Sequence, residues 1–210
     1  LDPHQADLVG ISLSTKIGYA CYIPIGHNSD KNLDENKVIK ILKPILEDKS
    51  IKKIGQNIKF DFIILFKRGI EMNTIEDTML MSYVLDAGKN RHNMDTLSEI
   101  HLSHKPISYK EIVGTGKKQI NFSEVDIKLA KDYAAEDADI TYRLYKIFQK
   151  NLKLEKLTNI YETFEKPLIK ILALMEIYGV KIDQNFLKKL STKFQKKIEI
   201  LEKQIFKISK

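Results

Sequence analysis

The stretch IKKIGQNIKFDFIILFKRG, residues 51–69, reads as a short strand running straight into a helix. The strand is expected near Ile51–Gly55, and apolar residues then follow a helical pattern from Ile58 to Arg68. Gly69 closes that pattern, because glycine accepts the left-handed backbone that ends many helices. A strand feeding a helix in this way is a unit of a mixed α/β sheet.

Working outward toward the N-terminus, DLVGISLS (7–14) and GYACYIPI (18–25) both alternate apolar and polar residues. They read as two antiparallel strands joined by a turn at Thr15-Lys16-Ile17. Asp34 is placed to cap a helix in which Val38, Ile41, Leu42, Ile45 and Leu46 recur at helical spacing, with Pro44 weakening its last turn. Toward the C-terminus, helices are expected at 76–86 and 95–102, separated by the polar stretch Gly88–Asn93. Ser123-x-x-Asp126 marks the start of another, in which helix formers run without Gly or Pro to about Lys150.

After about residue 155 the character changes to long helices at 160–178 and from Asp183 to the end, split by Gly179-Val-Lys-Ile-Asp183. A boundary is expected there, giving domains 1–155 and 156–210. In the last helix Leu187, Leu190, Phe194, Ile198, Leu201, Ile205 and Ile208 form a near-heptad stripe that calls for a partner helix from outside this chain.

With 210 residues, 43% apolar and 30% charged, the composition is that of a soluble globular protein, and no apolar run is long enough to cross a bilayer. No secretory signal opens the chain. The single Cys21 cannot form an internal disulfide, which fits a reducing cytoplasm and excludes a cysteine-built zinc site. The net charge of +7 is uneven: residues 181–210 hold nine lysines against three acids, leaving +1 for the first 180. An almost neutral front suits a carboxylate site, and a basic tail suits phosphates.

Within DYAAEDADIT (132–141), Tyr133 and Asp137 are four apart and share a helical face. That pairing can hold a hard cation and orient its water, or can be no more than a surface carboxylate beside a half-buried tyrosine; spacing alone favours the second. Asp61 sits at a helix start after a strand, where α/β proteins place ligands, yet a carboxylate there is also simply favourable to the helix dipole. Gln56 and Asn57 can offer amides to a sugar or phosphate, or cap that helix. Gly114-Thr-Gly-Lys-Lys118 is no phosphate loop, since Glu111 and Lys118 replace its required Gly and Ser/Thr, so it reads as a basic loop. His4, His27, His92, His101 and His104 show no metal-binding spacing.

Together GQNIKFD (55–61), DTMLMSYVLDAGKNRHNMDTL (77–97), YKEIVGTGKKQINF (109–122), YAAEDADIT (133–141) and GVKID (179–183) resemble successive blocks of the bacterial DNA polymerase I family, family A, in order and spacing. The resemblance implies a ribonuclease-H-like 3′-5′ exonuclease fold with a mixed sheet, followed by the first thumb helices of a polymerase domain. It implies a DEDD-type site of the tyrosine subclass, in which four carboxylates hold two divalent ions, magnesium or manganese with zinc as a third candidate. Asp61 then matches the second-motif carboxylate, Asp137 the last carboxylate and Tyr133 the residue that positions the hydrolytic water.

Gln56 and Asn57 match the segment that meets the 3′-terminal nucleotide, Tyr109 an aromatic that packs on the single strand, and Leu1 a wedge beside the terminal base. Lys117 and Lys118 would lie near the single strand. Lys189, Lys193 and Lys196 would lie along duplex phosphates, unless they are only the solvated face of a coiled coil. The family's Asp-x-Glu strand would precede Leu1, so the chain alone is expected to bind metal weakly and cut DNA slowly or not at all. DNA synthesis is excluded, because the family's polymerase residues fall beyond residue 210. The parent is expected to be a cytoplasmic monomer acting in replication and repair, with no membrane partner. The alternative is a non-catalytic DNA-binding scaffold, against which the presence of Asp61, Tyr133 and Asp137 speaks.

Overall fold

The computed structural model describes residues 2–209, without the side chain of Lys117. The wedge expectation on Leu1 therefore lies outside the described residues. Contacts divide the chain into one compact unit ending at Ile177 and another beginning at Tyr178.

The first unit opens with β1 (Gly10–Lys16) and β2 (Tyr19–Pro24), an antiparallel pair in register from Gly10 opposite Pro24 to Ser14 opposite Ala20, with a register shift before Lys16 opposite Tyr19. The turn falls at Ile17-Gly18, later than the alternation suggests, because Gly18 supplies the positive φ of 77° that a tight reversal needs. Helix α1 (Glu35–Glu47) is capped by Asp34, whose carboxylate accepts from the Lys37 amide at 2.8 Å. It runs through Pro44 unbroken. Pro44 and Lys40 are both exposed, so the carbonyl that proline leaves without a helical partner lies on the solvent side.

The decisive stretch forms β3 (Lys53–Gly55) and α2 (Ile58–Phe66), which cross over to β4 (Ile75–Asp77), parallel to β3. Phe62 and Ile63 are fully buried and, with Ile70, sit in a core completed by Val38, Leu42 and Leu46 of α1. The Ile70 amide donates to the Leu65 carbonyl at 3.0 Å across Gly69, whose φ is 76°, and this closes α2. The helix expected at 76–86 begins later, as α3 (Thr78–Asp86), because its first residues belong to β4. Both kinds of strand pairing of a mixed sheet occur, but the described strands make two separate pairs.

Next come α4 (Met94–Leu102), a short α5 (Tyr109–Val113), and α6 (Ile127–Leu154), capped by Asp126. Helix α6 packs along β1, β2, α3 and α4 and buries Leu144 and Phe148 in a second core with Met81, Leu97 and Tyr161. After it, α7 (Thr158–Ile160) passes through a π-helical turn (Tyr161–Glu165) into α8 (Lys166–Tyr178). Ile169 and Ala173 of α8 are buried in the α1–α2 core, so this helix belongs to the first compact unit although it follows the expected domain boundary near 155.

In the second unit α9 (Gln184–Ile208) is capped by Asp183, which accepts from the Phe186 amide at 3.0 Å. None of its described residues is buried, and Phe194 and Ile205 on its apolar stripe are exposed. No helix among the described residues is long and apolar enough to cross a membrane.

Candidate active site

Asp61 lies in the first turn of α2, exposed to solvent. The crowding of protein around it and then the charge of Asp77 push its carboxyl up to about 7, and water at its exposed edge screens part of that effect. Asn57 precedes the helix with a left-handed backbone, φ 60°, and its exposed side chain makes no capping bond. The start of α2 is instead held by Asp77 at the end of β4. Its Oδ1 accepts from the Asn57 amide at 3.0 Å, and its Oδ2 accepts from the Ile58 amide at 3.0 Å.

Gln56 faces inward. Its carbonyl oxygen accepts from the Thr78 hydroxyl at 2.5 Å, and its amide nitrogen donates to the His92 carbonyl at 2.8 Å. One end of the side chain thus ties the strand-to-helix turn to the polar loop 87–93, and the other ties it to the first residue of α3.

The second group of residues lies on α6. Tyr133 and Asp137 are both half-buried, one turn apart on the same face as their spacing predicts. Dehydration pushes the Asp137 carboxyl up to about 7, the Tyr133 hydroxyl opposes this by hydrogen bonding, and the charges of Asp95 and Glu136 add to the rise. Burial and the Asp137 charge together raise the Tyr133 phenol far above its usual range, so it keeps its proton. Tyr109 stacks on Phe122 with centroids 6.1 Å apart, and both rings lean on Tyr133 at 6.1 and 6.0 Å. Glu136 ties this wall together: its Oε2 accepts from the Ile107 amide at 2.7 Å, two residues before Tyr109, and its Oε1 pairs with His104 at 2.8 Å.

Of the expected site residues, Tyr109, Tyr133 and Asp137 are brought together, and Asn57 and Asp61 share one turn. Lys118 is exposed in a 3₁₀ turn (Gly116–Lys118), and Lys189, Lys193 and Lys196 are exposed on α9 in the second unit. Asp95 and Asp77 were not singled out by sequence. Asp95 is an acid in the first turn of α4, with no mark of its closeness to Asp137. Asp77 lies in a strand too short to show a period.

The donors fit a hard divalent cation in kind: two carboxylates, Asp61 exposed and Asp137 half-buried, with a protonated phenol beside the second. They do not amount to a complete shell, because among the described residues no three His, Cys, Asp or Glu side chains converge on a metal-sized space.

Solved structures share this architecture. The polymerase domain of Pol1 from M. smegmatis, in complex with DNA primer-template and dNTP, superposes with a TM-score of 0.66 at 20% identity, over 87% of this chain and 28% of that one. Brucella melitensis NrnC with bound Mg²⁺ gives a TM-score of 0.60 at 22% identity, over 86% of this chain and 83% of that one. The fold is that of the ribonuclease-H-like exonucleases. A family model described as 3′-5′ exonuclease matches residues 1–153, and the chain belongs to that family. Among its relatives are DNA polymerase I of Rhizobium leguminosarum, 41% identical over 98% of this chain, and DNA polymerase I of Pseudomonas aeruginosa, 37% identical over all of it. The chain spans 22% and 24% of the length of these two relatives.

Proposed function

We propose that this chain is the proofreading part of a longer DNA polymerase I, hydrolysing the 3′-terminal phosphodiester of DNA and releasing nucleoside monophosphates. The observation that carries the reading is the α6 face, where a dehydrated carboxylate and a protonated phenol share one helical turn beside a stacked aromatic pair. Residues 1–155 would form the exonuclease domain and 156–210 the start of the polymerase domain. The parent would work as a cytoplasmic monomer in replication and repair.

Asp61 and Asp137 would hold divalent metal ions, magnesium or manganese with zinc as a third candidate. Such ions, when bound, lower the pKa of a water and stabilise charge on the attacking and leaving oxygens. The remaining work falls to the chain itself. Tyr133, holding its proton, orients the attacking water by hydrogen bonding rather than deprotonating it. Tyr109 offers a ring face to a base of the single strand, a grip that tolerates any sequence. Asn57, with its side chain not used as a cap, presents an amide to the terminal nucleotide. Gln56 contributes from behind by holding the 87–93 loop. Lys117 and Lys118 would neutralise phosphates of the single strand, and Lys189, Lys193 and Lys196 those of the duplex. A mispaired end reaches such a site more often because it melts more readily.

A second reading is a DNA-binding scaffold without catalysis. Product analysis separates the two. In the longer protein, single-stranded DNA labelled at its 3′ end should yield mononucleotides only with magnesium. Asp61→Ala should lower the rate by about 100- to 1,000-fold, the scale of losing one preorganised electrostatic group. DNA binding with no mononucleotide release from the wild type would leave the scaffold reading.

A further inference from the structure

Asp77 is 1% exposed and has no part in the chemistry proposed above. Its carboxylate accepts three backbone N–H groups from two helices: Asn57 and Ile58 at the start of α2, both at 3.0 Å, and Met79 in the first turn of α3, at 2.9 Å. A helix leaves its first amides without partners, and each normally needs its own cap. Here one side chain serves two starts. Helix α2 has no cap of its own, since the Asn57 side chain makes no such bond.

The main chain of Asp77 is held as firmly as its side chain. Its amide donates to the Tyr161 hydroxyl at 2.9 Å, and that hydroxyl donates to buried Glu76 at 3.1 Å. Glu76 is in turn paired with Lys166 at 2.8 Å.

Asp61 follows Ile58 by three residues, on the turn that Asp77 holds, so any rotation of that turn carries Asp61 with it. We propose that Asp77 is a positioning residue for Asp61: its two oxygens fix the first turn of α2 and thereby where the Asp61 carboxylate stands. The proposal rests on reading Asp61 as a site carboxylate. The task calls for an aspartate. Asparagine has one acceptor oxygen, and its NH₂ would face a backbone N–H. Serine can still cap α3 from the same position but cannot span to α2.

The test compares wild type, Asp77→Ser, Asp77→Asn and Asp61→Ala in the longer protein, measuring kcat and KM on single-stranded DNA well below the melting temperature. Leu152→Ala, a core deletion at the far end of α6, serves as the control for lost stability alone. Both Asp77 variants should lower kcat by about 100-fold, the scale of an ångström-sized misplacement, with KM within about twofold and Leu152→Ala near wild-type kcat. Wild-type kcat in the Asp77 variants, with Asp61→Ala inactive, would overturn the positioning role and leave the site intact. Full activity in Asp61→Ala would overturn the site reading and this proposal with it. Should the Asp77 variants not fold, amide exchange in the wild type decides: Asn57 and Ile58 should exchange as slowly as the interior of α2, and fast exchange at both would overturn the proposal.

Discussion

The two candidate carboxylates, Asp61 and Asp137, are both raised well above the ordinary range, but by different constructions. Asp61 stands at the exposed edge of a turn clamped from beneath by a buried aspartate and seated on Phe62, whereas Asp137 sits mid-helix against Tyr133, in a wall of rings. The first region draws its geometry from core packing and backbone hydrogen bonds. The second draws it from the regularity of one long helix, which delivers Tyr133 and Asp137 to the same face unaided. Stability and rate should therefore respond in opposite order to mutations in the two places.

Phe62→Ala should have the largest effect on stability, about 3 to 5 kcal/mol by chemical denaturation, because the ring is wholly buried beneath α2. Removing the charge at Asp137 comes next and has the opposite sign. A carboxyl raised in the folded state binds its proton more tightly there than in the unfolded chain, whose ordinary value is about 3.9. Its contribution is fully present below that value and is lost as pH rises through about 7. In the presence of chelator, Asp137→Asn should thus raise stability at pH 8 by on the order of 1 to 2 kcal/mol, roughly 2 to 8 °C, with the gain vanishing near pH 4. The matching gain for Asp61→Asn should be smaller, because its exposed edge is screened by water.

Tyr133→Phe should shift stability by no more than about 1 kcal/mol yet slow hydrolysis by about 100-fold, since it removes a hydroxyl and keeps the ring. A rate loss matched by an equal stability loss would show that the two regions do not differ as argued. The smallest stability effect belongs to α9. Lys193→Gln and Lys196→Gln should stay within about 0.5 kcal/mol of wild type, while each lowers the salt dependence of duplex binding by about one ion.

What the sequence disclosed follows the same division. The shared face of Tyr133 and Asp137 was legible because an i, i+4 pair on an uninterrupted helix needs no tertiary information, but spacing alone favoured a structural role, and only the family resemblance gave the pair a part in a site. The strand-to-helix step at 51–69 placed Asp61 at a helix start, while its site role came from the resemblance alone. Asp77 was hidden, because β4 has three residues, too few for an alternating pattern, and a buried aspartate followed by Thr-Met-Leu-Met looks like any helix start. The inward bonds of Gln56 were equally illegible, since Thr78 and His92 reach it only through the fold. In α9 the apolar stripe was plain, while its partner was not, and the exposed face shows why a stripe alone names none.

The most direct measurement is release of the terminal nucleotide from a mispaired primer by the longer protein, comparing wild type with Asp137→Ala in magnesium. The account predicts mononucleotide release at least about 100-fold faster from the wild type. Equal release by both, or none by either, would contradict the assignment of the α6 face as the centre of a proofreading exonuclease.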